Sequence, residues 1–174
     1  MKIADEWSDN INEFLSRYRY QPVLTSKLDA IGAVAFDQKI VNEIVLWKVN
    51  RYAPLSDEAF LALNSIVNIR PRSHREAEQT LALLLKEPGV DLPMASTLLR
   101  FRNPAAFQII DRHAYRAAFG EDYPLYSGTG AARKVQVYFD YLDKLFKLAE
   151  QHKVRFADLD RILYMFDKEI NGKL

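Results

Sequence analysis

The chain contains no cysteine. Disulfides, thiolate metal sites and an iron–sulfur cluster are therefore excluded. It has almost no surplus of either charge, with 24 Lys and Arg against 23 Asp and Glu for a net +1. No global field draws it to a polyanion, so nucleic-acid binding would have to rest on a local patch. No apolar run approaches the ~20 residues that span a bilayer. The opening, MKIADEWSDN, turns acidic at once and has no apolar signal-peptide core. A cytoplasmic protein is the expectation. Internal repeats, low-complexity tracts and Gly/Ser linkers are missing, and strand-like alternation is nearly so. The histidines, His74, His113 and His152, lack the spacing of metal ligands, so we expect neither a metal nor a cofactor.

What is present is helical. The 174 residues are 49% hydrophobic and 27% charged, which suits one domain or a compact pair of lobes around a real core. Trp7, Ile11, Phe14, Leu15 and Tyr18 share a helical face, as do Ile40, Val41, Ile44, Val45 and Trp47, with Asp37 placed to cap the second run. QPVLTSKLDAIGAVAF between them is less regular and reads as a loop or a short extended piece. Ser56 is placed to cap DEAFLALNSIVNI. Ser73 with Glu76 has the spacing of a capping box for HREAEQTLALLLK. A Pro-Gly break at Pro88-Gly89-Val90 ends that helix, and LPMASTLLRF forms the next. A helix opened by Asp111 follows, then a loop through YPLYSGTG. The longest helix, AARKVQVYFDYLDKLFKLAEQHK, and a last one, FADLDRILYMFDKEI, complete the chain.

The stretch EPGVDLPMASTLLRFRNPAAFQIID, residues 87–111, raises the functional question. Two helices joined by a tight Pro-Gly turn form a hairpin over residues 73–101, with helices expected at 73–86 and 92–101. Such a turn leaves backbone N–H groups at the start of its second helix, where an anion is favoured.

The stretch resembles the helix-hairpin-helix DNA glycosylase superfamily. That family's hairpin reads Leu-Pro-Gly-Val-Gly-x-Lys-x-Ala, followed after a set gap by an essential Asp. Here the aligned residues run from Glu87 to Ala95, and Asp111 lies 18 residues after Pro93, at the family's gap. IIDRHAYRA is similar to the apolar-apolar-Asp segment of many members. VNEIVLWKVNRY is similar to the early helix that runs into a DNA-facing loop, and ADLDRILYMFDKE to a late helix that packs back onto the first lobe. The resemblance covers roughly residues 36–170. It implies a single all-α unit over 1–174, a two-lobed helical bundle with the hairpin at the mouth of an interlobe cleft. The N-terminal helix and the late helices at 155–170 would form one lobe. It also implies double-stranded DNA as partner and a monomer.

Two departures shape the expected chemistry. Pro93 stands where the lysine of lyase-competent members attacks the sugar, so a Schiff-base step is not expected there, while base hydrolysis survives. Asp91 replaces the second hairpin glycine; its carboxylate is placed to cap the N–H groups that would hold a phosphate.

The resemblance gives Asp111 the role of the carboxylate that stabilises positive charge on the sugar and orients or deprotonates water. An Asp at a helix start is also an ordinary N-cap, and the two roles can coexist. For DNA contact the candidates are Gly89, Val90 and Asp91 in the hairpin, Lys48, Asn50 and Arg51 in the early loop, and Arg112, Arg133 and Lys134 near helix starts. For a base pocket they are Trp47, Tyr115 and Tyr164, although aromatics at helical spacing are more often core. The expected function is a monofunctional base-excision glycosylase. A non-catalytic DNA-binding or scaffold module on the same fold, and a helical protein-interaction domain, stand as alternatives.

Overall fold

A computed structural model describes residues 20–31, 35–36, 38–48 and 52–172. Among them every regular element is helical and there is no strand. The chain divides into two compact units, Met1–Tyr52 and Ala53–Leu174. The first expected helix, Asp37, Asn50 and Arg51 lie outside the described residues, and so does the side chain of Lys48.

In the first unit, α1 (Pro22–Asp29) packs against α2 (Gln38–Lys48). The loop or extended piece expected at 21–36 is therefore a helix for its first half. Pro22 sits in the first turn, where a missing N–H costs nothing. Leu24 is fully buried. Trp47 is held by two hydrogen bonds. Its indole N–H donates to Thr25 Oγ1 at 2.9 Å, and its carbonyl accepts from the Tyr20 hydroxyl at 2.8 Å.

The second unit carries six helices and several tight turns. α3 (Asp57–Ser65) runs into a 3₁₀ turn, Ile66–Asn68, and α4 (Glu78–Leu84) is preceded by another, His74–Ala77. Then come α5 (Leu92–Arg102), α6 (Arg112–Phe119), α7 (Ala131–His152) and α8 (Leu159–Phe166), which ends in a π-helical turn, Asp167–Asn171. α7 runs through the core. Its Tyr138, Tyr141, Leu142 and Leu145 recur at helical spacing and are fully buried, together with Leu81, Leu92, Leu99, Phe107 and Ile110 from the surrounding segments.

The caps show where local sequence rules held. Ser56 Oγ accepts from Ala59 N–H at 3.2 Å, as its position predicts, and donates to Glu87 at 2.6 Å, tying α3 to the turn after α4. The capping box at Ser73 and Glu76 does not form. Ser73 takes φ −91° and ψ 20° and makes no side-chain cap, because the first turn is 3₁₀ and Glu76 N–H bonds to the Ser73 carbonyl instead.

His74 follows at once, 1% exposed, between Phe139 and Phe146. Its Nε2 faces Asp143 at 3.2 Å without an aligned hydrogen bond. Burial pushes the imidazole below its ordinary value of 6.5, outweighing the pull of Asp143. The folded state therefore resists protonation more than the unfolded chain does. The stabilisation from His74 is full above about pH 6.5 and declines as pH falls from there through the folded value. Urea midpoints should drop between pH 7.5 and pH 5, and the drop should shrink in His74→Phe. An unchanged pH dependence in that variant would remove His74 from the account.

Candidate functional site

α4 and α5 are joined by a turn rather than a continuous helix. Glu87 N–H bonds to the Leu84 carbonyl and Val90 N–H to the Glu87 carbonyl, each at 3.1 Å. Gly89 has φ 77°, a left-handed conformation that side chains resist. Val90 is 7% exposed and packs into the core, so both its side chain and its N–H are already engaged.

Asp91 then opens α5 as its N-cap. Its Oδ1 accepts from Leu92 N–H at 2.6 Å and from the Lys134 ammonium, also at 2.6 Å. Pro93 occupies the first turn of α5, offering neither an N–H nor an amine.

The backbone leading to Asp111 is pinned from two sides. From α7, the Tyr138 hydroxyl donates to the Gln108 carbonyl at 2.9 Å and the Tyr141 hydroxyl to the Ile109 carbonyl at 2.8 Å. From α5, the buried Ser96 hydroxyl accepts from Ile110 N–H at 3.2 Å and donates to the Pro93 carbonyl at 2.9 Å. Burial raises the pKa of both tyrosines well above the ordinary 10, so they remain neutral donors. One hydroxyl on α5 thus ties the first turn of that helix to the residue before Asp111.

Asp111 caps α6, with Oδ1 accepting from Ala114 N–H at 2.8 Å. Among the described residues its second oxygen accepts no hydrogen bond. Two cavities meet at this side chain. One, of about 320 Å³, is walled by Asp111, Ile109, Tyr164, Met165, Asp160 and Arg161. The other, of about 190 Å³, has Asp111, Asp91, Pro93, Arg112, Tyr123 and Lys134 on its walls. The first has side walls of Ile109, Tyr164 and Met165; the second is polar, with two acids and two cations. Tyr123 is held by burial, and then by the charge of Asp91, as a neutral phenol with its pKa pushed up to about 12.

The sequence candidates therefore separate. Asp111, Asp91, Arg112, Lys134 and Tyr164 line the paired cavities. Gly89 shapes the turn, and Val90 belongs to the core. Arg133 is exposed on the first turn of α7 and lines neither cavity. Tyr115 is 8% exposed and stacks on Phe119 and Tyr141, so it is a core residue. Trp47 belongs to the first unit.

Tyr123, Asp160, Arg161 and Met165 escaped the sequence reading. For the last three a signal existed: Asp160 and Tyr164 are four apart on α8, as are Arg161 and Met165, so they present one face. Tyr123 sits in an irregular loop, where no periodicity points to it.

His113 Nδ1 donates to the Asp167 carboxylate across 2.7 Å, and Arg116 reaches the same carboxylate at 2.8 Å. Arg116, followed by Asn171 and His113, holds the fully buried Asp167 well below the usual carboxylate range, and the cluster fastens the π-helical turn to α6. Two of the basic residues near Asp111 are thus structural.

Among the described residues no group of three or more His, Cys, Asp and Glu stands together to hold a metal ion, and no helix is long and apolar enough to cross a membrane. Comparison with protein-family models, curated proteins and solved structures finds no match to this chain.

Proposed function

We propose that this chain is a diverged helix-hairpin-helix DNA glycosylase-like protein that hydrolyses an N-glycosidic bond and stops there. The observation that carries the reading is the position of Asp111, whose side chain lies on the walls of both cavities. A nucleotide rotated out of a duplex has two unlike parts joined by the bond to be cut. The flat base fits the cavity beside Ile109, Tyr164 and Met165, and the sugar-phosphate fits the polar cavity with Arg112 and Lys134. The glycosidic bond then falls at Asp111.

The chemistry follows from the carboxylate. As the bond lengthens, positive charge builds on the sugar, and a fixed negative group beside it lowers the barrier. The oxygen not used in the cap is available to orient water or take its proton. Pro93 supplies no amine, so no covalent intermediate forms at that position. In this reading the α4–turn–α5 unit is the family's hairpin, and the two lobes and cleft of that family are part of the proposal.

A non-catalytic DNA-binding or scaffold module is the second reading. It is favoured by the occupied hairpin, where Asp91 already takes Leu92 N–H and Lys134. The two separate on a panel of duplexes carrying single damaged or mismatched bases, incubated with the protein and then treated with alkali. Alkali-dependent breaks at one lesion or more are the expected result. Duplex binding with no abasic site across the panel would favour the module.

A further inference from the structure

Lys134 and Asp91 form an ion pair at 2.6 Å, but the partners are unequal: the lysine side chain is 11% exposed and the aspartate 48%. The ammonium projects from the first turn of α7 onto the wall of the polar cavity, and it donates to the Ser127 carbonyl at 3.4 Å. The carboxylate is the partner that has room to swing into solvent. When it does, it leaves behind a buried cation and the Leu92 N–H, both without an anion and both facing the space Asp91 vacated. A buried charge without a counter-ion is costly, so the vacated position is a strong site for an external anion. Arg112 on the same cavity wall adds a second positive charge.

We infer that Asp91 is an internal latch on a phosphate site: its carboxylate occupies the position on Lys134 that a phosphodiester oxygen takes when the latch opens. A carboxylate and a phosphate oxygen make the same short, charge-assisted contacts with an ammonium and a backbone N–H, so one replaces the other without moving the donors. The latch itself rests on the cavity and the ion pair; duplex DNA as the source of the phosphate rests on the reading above.

The test is a two-residue cycle, with Asp91→Asn, Lys134→Met and the double variant, each checked for a melting temperature that shows a folded protein. Asp91→Asn keeps a good N-cap while removing the charge, and Asp91→Gly serves as the second variant if the first does not fold. Two probes are used: an undamaged duplex in a salt titration, and inorganic phosphate followed by calorimetry. Asp91→Asn should bind duplex roughly fivefold tighter or more, with a salt slope steeper by about 0.9, one phosphate's worth. It should also bind inorganic phosphate more tightly than wild type does. Neither gain should appear when Lys134→Met is present, because the cation that receives the phosphate is gone. A gain with phosphate alone upholds the latch and removes DNA as its partner. No gain with either probe, or a gain that survives Lys134→Met, overturns the latch. Base release is not read in this experiment, so the catalytic proposal stands or falls separately.

Discussion

Asp111→Asn should fold, melt near the wild-type temperature, and lose base release by roughly a hundredfold or more. Asn is as good an N-cap as Asp, so the contact to Ala114 N–H at 2.8 Å has a like-shaped acceptor in the variant and α6 keeps its start. What the substitution removes is the negative charge that would face the developing sugar cation. Stability and activity should therefore part, which a purely structural aspartate would not allow. The measurement is release of the free base from a lesion-bearing duplex, with thermal melting alongside. Turnover at the wild-type rate would reduce Asp111 to the helix cap it also is. Wild type should yield abasic sites that break only after alkali, and borohydride should trap no protein–DNA adduct, since Pro93 carries no amine.

Asn103→Ala should destabilise the second unit by about 3 kcal/mol, the cost of leaving two buried carbonyls without their donor. Asn103 is 5% exposed at the end of α5. Its Nδ2 donates to the Ile66 and Ile69 carbonyls, each at 2.9 Å, and its Oδ1 accepts from Ala105 N–H at 3.2 Å. One side chain thus closes the end of the α3 segment against the end of α5. Asn103→Asp should be worse than the alanine variant, because it sets a carboxylate against carbonyls and still donates nothing. The check is urea unfolding of all three proteins. A loss under 1 kcal/mol in both variants would mean that the carbonyls find other donors.

Much of the helical layout was legible because it rests on local chemistry. Ser56 and Asp111 stand at helix starts and cap them, and the Pro-Gly break at Gly89 takes the left-handed φ that ends one helix before another begins. Expectations failed where a non-local environment decided. The residues of α1 lack a clean apolar stripe, yet they form a helix packed on α2, with Leu24 buried and Thr25 as the acceptor for Trp47. Ser73 and Glu76 have capping-box spacing, but His74 is drawn in between two phenylalanines and the first turn tightens to 3₁₀.

The candidate site was half legible. Asp111 could be picked out by its distance from the hairpin, but its pinning by Ser96, Tyr138 and Tyr141 links residues 14 to 32 positions apart. No local pattern encodes such links. Likewise Lys134 could be suspected as a basic residue at a helix start, while its pairing with Asp91 depends on how α7 lies beside the turn.

On the function proposed, Asp111 stands where a base and its sugar part company, with the base on the Tyr164 side and the phosphate on the Lys134 side. The most direct measurement is a crystal structure of Asp111→Asn bound to a duplex carrying a lesion that the wild-type protein excises, since that variant holds the uncut nucleotide. The account predicts the damaged nucleotide rotated out of the helix, its base against Ile109, Tyr164 and Met165, and its glycosidic bond beside residue 111. A lesion still stacked in the duplex, or a rotated base lodged away from both cavities, would contradict it.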